Sequence, residues 1–459
     1  MSRNGHKRSL RSRRTILAIA AALTGFGGIA VIAVNASAGS GSRAFDNNQS
    51  ADATVVCPDV GNRLRDVPTR AQSDVNRALG ELDTQVATAY QKLTSGAVDQ
   101  QALISDLQQQ RQGTIDRIAN AIGPASTKRS GLGALSQCTI RQAAGNNGQN
   151  AIRNAKGGAG NAPVPPNAGL SAADFVDITT VAPNVPQRRK TPGASTGTFT
   201  SECGHNQNGH LNPDNVIVAP GVSNGAHHMH DYVGNVSTDA FSVNSSLAAA
   251  GTTCVNQDQS TYYWPVTRLL GSGNERDAGA PGGGQDLNVG SILEPADVTL
   301  TFTGSPVGKV TAMPRFMRII TGDAKAFTSG PADANASWSC TGFENRQLTD
   351  KYPLCPQNSD VVRTFNFQSC WDGRNIDSAN HRTHVDFALP NGACPRGLAA
   401  IPELEMRLVY DVPGGALFAV DSFPEQLHKP VTDHGDFINV MTDGLMNKAV
   451  RCINSGQKC

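Results

Sequence analysis

Two rhythms of apolar and polar residues divide this chain. Between Cys57 and Cys138, Val75, Leu79, Leu82, Val86, Tyr90 and Leu93 recur at spacings of three and four, and Leu103, Leu107, Ile115, Ile118 and Ile122 repeat the pattern. That period lines one face of a helix with apolar side chains. Thr94-Ser95-Gly96 separates the two stretches and Gly123-Pro124 stops the second, so residues 57–142 predict an antiparallel helical hairpin. Two helices alone bury little surface and need a staple or a partner. Cys57 and Cys138 bracket the pair and are expected to bridge its ends.

Beyond residue 199 the rhythm shortens. Runs such as VIVA, DVTLTF, FMRII, VVRTFNF and LEMRLVYDV are separated by Gly, Pro, Asn and Asp. Many short strands between turn signals predict a mainly β domain over residues 199–459. A β-sandwich or jelly-roll-like core with long loops is expected, preceded by the small α-helical hairpin. Residues 143–198, rich in Gly, Asn and Pro, read as a linker that buries too little apolar area to offset its ordering entropy. Residues 39–56 are small and polar and read as a flexible tether.

The first 38 residues carry a basic start, an apolar run over Thr15–Val34 and the small-residue site Ala36-Ser37-Ala38. This is the pattern of an export signal, and SRRTIL resembles the twin-arginine type. An uncleaved anchor is the competing reading, since about 20 apolar residues span a bilayer. A secreted or extracellular, cell-surface-associated protein is expected, without membrane contact beyond that signal or anchor. All ten cysteines follow the signal and none forms a CxxC pair. Disulfides in an oxidising compartment fit this usage, whereas a zinc ribbon or thioredoxin-like site does not. A net charge of +1 with 17% charged residues excludes nucleic acid as the main partner.

Candidate chemistry concentrates in three histidine segments. GAHHMHDYVG holds His227, His228 and His230; NHRTHVD holds His381, His384 and Asp386; DHGD holds Asp433, His434 and Asp436. His228 and His230 share a face if they lie on a strand, and His381 and His384 share one on a helical turn. Imidazole is the commonest metal ligand, so His228, His230, His384 and His434 are candidate ligands for zinc or copper. The same residues suit proton transfer, with His228, His230, His381, His384, His434 and Asp436 as catalytic candidates. Spacing does not separate the two chemistries, and a purely structural role in polar turns competes with both. His205, His210 and His428, isolated among Asn, Gly and Pro, read as loop residues.

SCWDGRNIDSANH adds Trp371, Asp372, Arg374, Asn375 and Asp377, an aromatic platform beside planar hydrogen-bonding groups that suits a sugar surface. Arg374 or Arg382 would meet an acidic sugar, and Asp377 or Asp436 would orient a histidine base. The alternative is a Trp packed beside the Cys370 disulfide with polar residues capping the turn. The chain has no phosphate-cradling Gly loop followed by a helix and no HExxH.

The order of DNVIVAPGVSNGAHHMHDYVGN, STYYWPVTRL, MPRFMRIITGD, FQSCWDGRNIDSANHRTHVDF, NGACP, LEMRLVYDV and DHGDFINVM resembles a secreted family of bacteria and fungi. That family is classed only as domain of unknown function number nineteen ninety-six. The resemblance covers residues 203–456 and places the family's HxH on His228 and His230, leaving His227 as the extra histidine. It places the family's SCWDG on Ser369–Gly373, its paired histidines on His381 and His384, and its HGDF on His434–Phe437. Where the family often has two glycines after HxH, this chain has one, in DYVGN. The resemblance brings no activity, but fungal members beside carbohydrate-binding modules imply extracellular or cell-wall polysaccharide as partner. Three readings follow: a polysaccharide lyase or hydrolase using a histidine-lined cleft, a histidine-based metal-binding protein, or a non-catalytic glycan- or partner-binding envelope protein with the hairpin as stalk.

Overall fold

The computed structural model describes residues 53–64, 67–96, 98–123, 131–142, 169–186, 188–272 and 275–459. The expected export signal, nearly all of the tether and the first part of the linker lie outside the described residues.

The helical rhythm forms α1 (Gln72–Thr94) and α2 (Gln100–Ile122). Asp99 caps α2 by accepting from the Ala102 amide at 2.7 Å, and Gly123 ends it at φ 86°, a left-handed conformation that suits glycine. Leu79 and Leu82 meet Ile115 and Ile118 at one end of the pair, while Val86 and Leu93 meet Leu103 and Leu107 at the other. Strands Ala53–Val56 and Thr139–Gln142 pair antiparallel, and Cys57–Cys138 bridges them as the sequence predicts. The hairpin is not a free stalk. Its apolar clusters take in Ala379 and Leu427 of the β domain, and the Thr54 hydroxyl donates to the Glu425 carbonyl at 2.5 Å.

The β domain is a sandwich of two five-stranded antiparallel sheets. The first runs Ser337–Cys340, Val361–Asn366, Glu403–Tyr410, Asp297–Thr303 and Thr198–Ser201; the second runs Arg318–Gly322, His434–Ile438, Thr261–Pro265, His230–Gly234 and Leu211–Asn212. Alternate residues fill the space between them: Phe302 lies 6.5 Å from Tyr262 and 5.9 Å from Phe437, centroid to centroid. The first sheet turns half-exposed residues such as Glu405 and Arg407 outward, whereas the central strands of the second are buried on both faces. The outer face of the second sheet is therefore covered, and that face carries the histidines.

Part of the Gly/Asn/Pro-rich stretch, from Gly169 to Val181, is packed, while the described residues between 182 and 193 are exposed. Phe175–Asp177 pairs in parallel with Tyr352–Leu354, and Ile178 is fully buried. Four more disulfides join Cys203–Cys254, Cys340–Cys355, Cys370–Cys394 and Cys452–Cys459. Five disulfides fit an extracellular protein. Among the described residues no helix is long and apolar enough to cross a membrane.

Candidate metal centre

Strand register brings two distant histidines level. His230 pairs with Pro265 and Asp436 with Tyr263 across the Thr261–Pro265 strand, so His434, two residues before Asp436, comes level with His230 on the same face. His228 sits in the bend before its strand and reaches the same point. His228 Nε2 lies 3.1 Å from His230 Nε2 and 3.3 Å from His434 Nε2, and the three ligand atoms lie within 4.8 Å of one another. Two nitrogens bound tetrahedrally to zinc at about 2.05 Å stand roughly 3.3 Å apart, close to the separation of His228 Nε2 from each of the other two.

The outer nitrogens fix the tautomers. His230 Nδ1 donates to the Asp214 carbonyl at 2.8 Å and His434 Nδ1 to the Thr432 carbonyl at 3.0 Å, leaving both Nε2 atoms as lone pairs. His228 can offer one proton, which cannot serve both contacts. A cation at the centre satisfies all three. All three imidazoles are buried. Burial holds His228 and His230 well below the usual histidine range, with the neighbouring imidazoles adding to it, and brings His434 down to about 4. Neutral imidazole is the metal-binding form.

Asp436 lies on the same face, Oδ2 3.9 Å from His434 Nε2. It is fully buried and neither oxygen accepts a hydrogen bond. Burial pushes its carboxyl up to about 8, against the charge of Arg382 and the nearby Tyr263 hydroxyl, which donates to Asn215 Oδ1 at 3.1 Å instead. An unpaired buried carboxylate is costly unless a cation or donor meets it.

His228, His434 and Asp436 line a cavity of about 130 Å³ whose other wall is the hairpin, through Asp59, Leu82 and Asp83 among others. Lys325 Nζ spans both walls, 2.6 Å from Asp83 and 3.4 Å from Asp59. Burial works against its charge, but the two carboxylates more than offset this and hold it above the usual lysine range. Glu425, also in the cavity wall, is pushed up to about 7 by burial. The sequence offers no local signal for Lys325, Asp59, Asp83 or Glu425, because nothing but the tertiary packing joins them.

The remaining candidates fall elsewhere. His384, expected as a ligand, donates or accepts at both nitrogens, with the Arg318 carbonyl at 2.7 Å and Ser378 Oγ at 3.0 Å, and stands outside the convergence. The expected helical turn is a chain of bends, so His381 and His384 part company: His381 and Arg382 line the cavity and His384 does not. Asp377 holds His381 Nδ1 at 2.9 Å. Trp371, Asp372, Arg374 and Asn375 do not reach the cavity. Trp371 Nε1 donates to the Asn375 carbonyl at 2.7 Å, and the Asp372 carboxylate accepts from the Arg374 and Asn375 amides, closing a self-satisfied turn beside the Cys370–Cys394 bridge. Asp386 accepts from the Phe387 amide. His227 is held by Asp286 at 2.8 Å and by Thr84 of α1 at 3.2 Å, away from the triad. His210 stacks on Tyr232, and His205 and His428 are engaged by Glu294 and by the Val420 and Leu287 carbonyls.

Residues 215–440 match the model of a family described as Domain of unknown function (DUF1996). All four residues of the centre lie within that span, while the hairpin lies before it. No curated protein and no solved structure matches the chain.

Proposed function

Starting from the match of residues 215–440 to the DUF1996 family, we propose that this is a metal-binding protein of the zinc or copper class. His228, His230 and His434 are the ligands and Asp436 is the carboxylate beside them. The observation that carries this reading is the convergence of three Nε2 atoms, two of them fixed as bare lone pairs, next to a buried carboxylate without a donor. Three imidazoles with an open fourth position match a catalytic rather than a sealed structural site. Elemental analysis of protein purified without a polyhistidine tag should find about one metal ion per chain, and His434→Ala should abolish it. A folded wild type that takes up neither zinc nor copper overturns the reading.

The open side of the centre favours a second, finer reading: a secreted carbohydrate-active domain, lyase or hydrolase, acting on extracellular or cell-wall polysaccharide. Its support is the cavity beside the triad and the five disulfides suited to an oxidising compartment. A polysaccharide panel with the metal-loaded protein checks it, with His434→Ala as control. Binding without turnover in that assay points instead to a non-catalytic glycan-binding envelope protein.

A further inference from the structure

A second constellation lines the same cavity from a different loop. The His381 side chain is 5% exposed, and its Nδ1 lies 2.9 Å from Asp377 Oδ1. The same oxygen accepts the Ser378 amide at 2.8 Å, so the carboxylate is held in place independently of the imidazole. With Nδ1–H donating to Asp377, Nε2 carries the lone pair. That atom has no hydrogen-bond partner. Buried polar atoms are nearly always paired, and His384, three residues on, shows the usual outcome with both nitrogens bonded.

The backbone adds a second mark. His381 stands at φ 56°, a left-handed conformation that costs a non-glycine residue free energy. Its amide bonds to the Ser378 carbonyl at 2.8 Å, and Asn380 Oδ1 accepts from the Thr383 amide at 3.0 Å, so the turn keeps that conformation. The cavity wall also holds Glu425 Oε2, a further buried acceptor without a donor.

We infer that His381 is a general base serving the cavity, with Asp377 as its positioning residue, and that the substrate is a hydroxyl-rich molecule such as a saccharide. The inference deepens the metal-centre reading and rests on it for the electrophilic partner. In the step, His381 Nε2 takes the proton of a water or substrate hydroxyl, and the O–H electron pair stays on oxygen. That oxygen bonds to the electrophilic carbon. The leaving group departs with the electron pair of the bond that breaks and collects the proton from His381, so nothing is oxidised or reduced. Asp377 stabilises the imidazolium between the two transfers. A hydroxyl-rich substrate supplies the donors that Glu425 Oε2 and the cavity lack.

The test uses zinc-loaded protein and the generic ester 4-nitrophenyl acetate. His381→Gln should lower kcat roughly 100-fold, within the range general-base catalysis spans, with KM and zinc content unchanged. Asp377→Asn should lower it less, again in kcat alone. Wild-type hydrolysis no faster than zinc in buffer, or His381→Gln at the wild-type rate, overturns the inference. Long-range nitrogen–proton NMR of ¹⁵N-histidine-labelled protein judges the dyad without metal or substrate. His381, assigned by the loss of its signals in His381→Gln, should be the Nδ1–H tautomer in wild type and change in Asp377→Asn. An Nε2–H tautomer in wild type overturns the dyad. A protein that takes up no zinc defeats the metal reading alone, and the tautomer then decides the fate of His381.

Discussion

Asp433 and Asp436 lie three residues apart in DHGD and both are fully buried, yet their surroundings are opposite. Asp433 accepts from Arg363 Nε at 3.1 Å, Arg363 Nη2 at 2.6 Å and the His434 amide at 2.9 Å. Arg363 spends its remaining donors on the Pro265 carbonyl, Thr267 and Tyr410. Both charges are paired, and each guanidinium nitrogen has a partner. Asp436 has none. One carboxylate is bound into the architecture, and the other faces three converging imidazoles and a cavity. Burial alone therefore does not mark function here; burial without a partner does.

The sharpest way to break the comparison is to remove each partner in turn. Arg363→Met leaves Asp433 buried and uncompensated, and removing one member of a buried ion pair costs about 3–5 kcal/mol. Urea unfolding should show this loss, if the variant folds at all. Asp436→Asn, made in metal-free protein, should cost little stability at neutral pH, because burial, which raises the carboxyl to about 8, already keeps it mostly uncharged there and an amide of the same shape replaces it. Equal losses in the two variants would mean that Asp436 is as well satisfied as its neighbour.

Metal supplies the next effect. A ligand that binds only the native state stabilises it by about 4 kcal/mol at a thousandfold excess over its Kd. Zinc should raise the unfolding midpoint of the wild type accordingly, and His230→Ala and His434→Ala should remove the response. His384→Ala should keep it, since both nitrogens of His384 are already bonded to protein. Loss of the zinc response in His384→Ala would restore that residue to the ligand set.

The pH dependence of metal-free protein is smaller and has a definite sign. The Asp436 carboxyl is raised to about 8 in the fold, so its stabilisation is complete below the ordinary aspartate pKa and is lost as pH climbs towards 8. The three triad histidines are depressed, so their contribution is present above the ordinary histidine pKa of about 6.5 and is lost as pH falls below it, for His434 down to about 4. Between about pH 6.5 and 8 the difference in stability between wild type and Asp436→Asn should therefore shift in favour of the variant as pH rises. A difference that stays flat across that window counts against an uncompensated Asp436.

Much of this was legible in the chain, because local rules govern it. The three- and four-residue period gave the hairpin, the bracketing cysteines its bridge, and the short runs between turn residues the sandwich. His228, His230, His434 and Asp436 stood out by crowding, whereas the shared face of His230 and His434 came only with the strand register. What local pattern hid was long-range. His384 has the same spacing from His381 whether the segment is a helical turn or a series of bends, and only the bends send its nitrogens to Ser378 and Arg318. The hairpin's place as a cavity wall depends on Lys325 meeting Asp59 and Asp83. No sequence period links groups so far apart.

The smallest effect tests the turn that resembled a sugar platform. Trp371 is half-buried against the sandwich core, its indole N–H bonded to the Asn375 carbonyl at 2.7 Å, and Asp372 accepts two backbone amides of the same turn. Trp371→Phe keeps the aromatic packing and removes one hydrogen bond at a partly exposed site, where the freed carbonyl can turn to water. The expected cost is about 1 kcal/mol. Zinc content and the hydrolysis of 4-nitrophenyl acetate should not change, because the indole does not reach the cavity. A fall in either would join this turn to the centre and undo the separation between groups that complete the fold and groups that face the cavity bare.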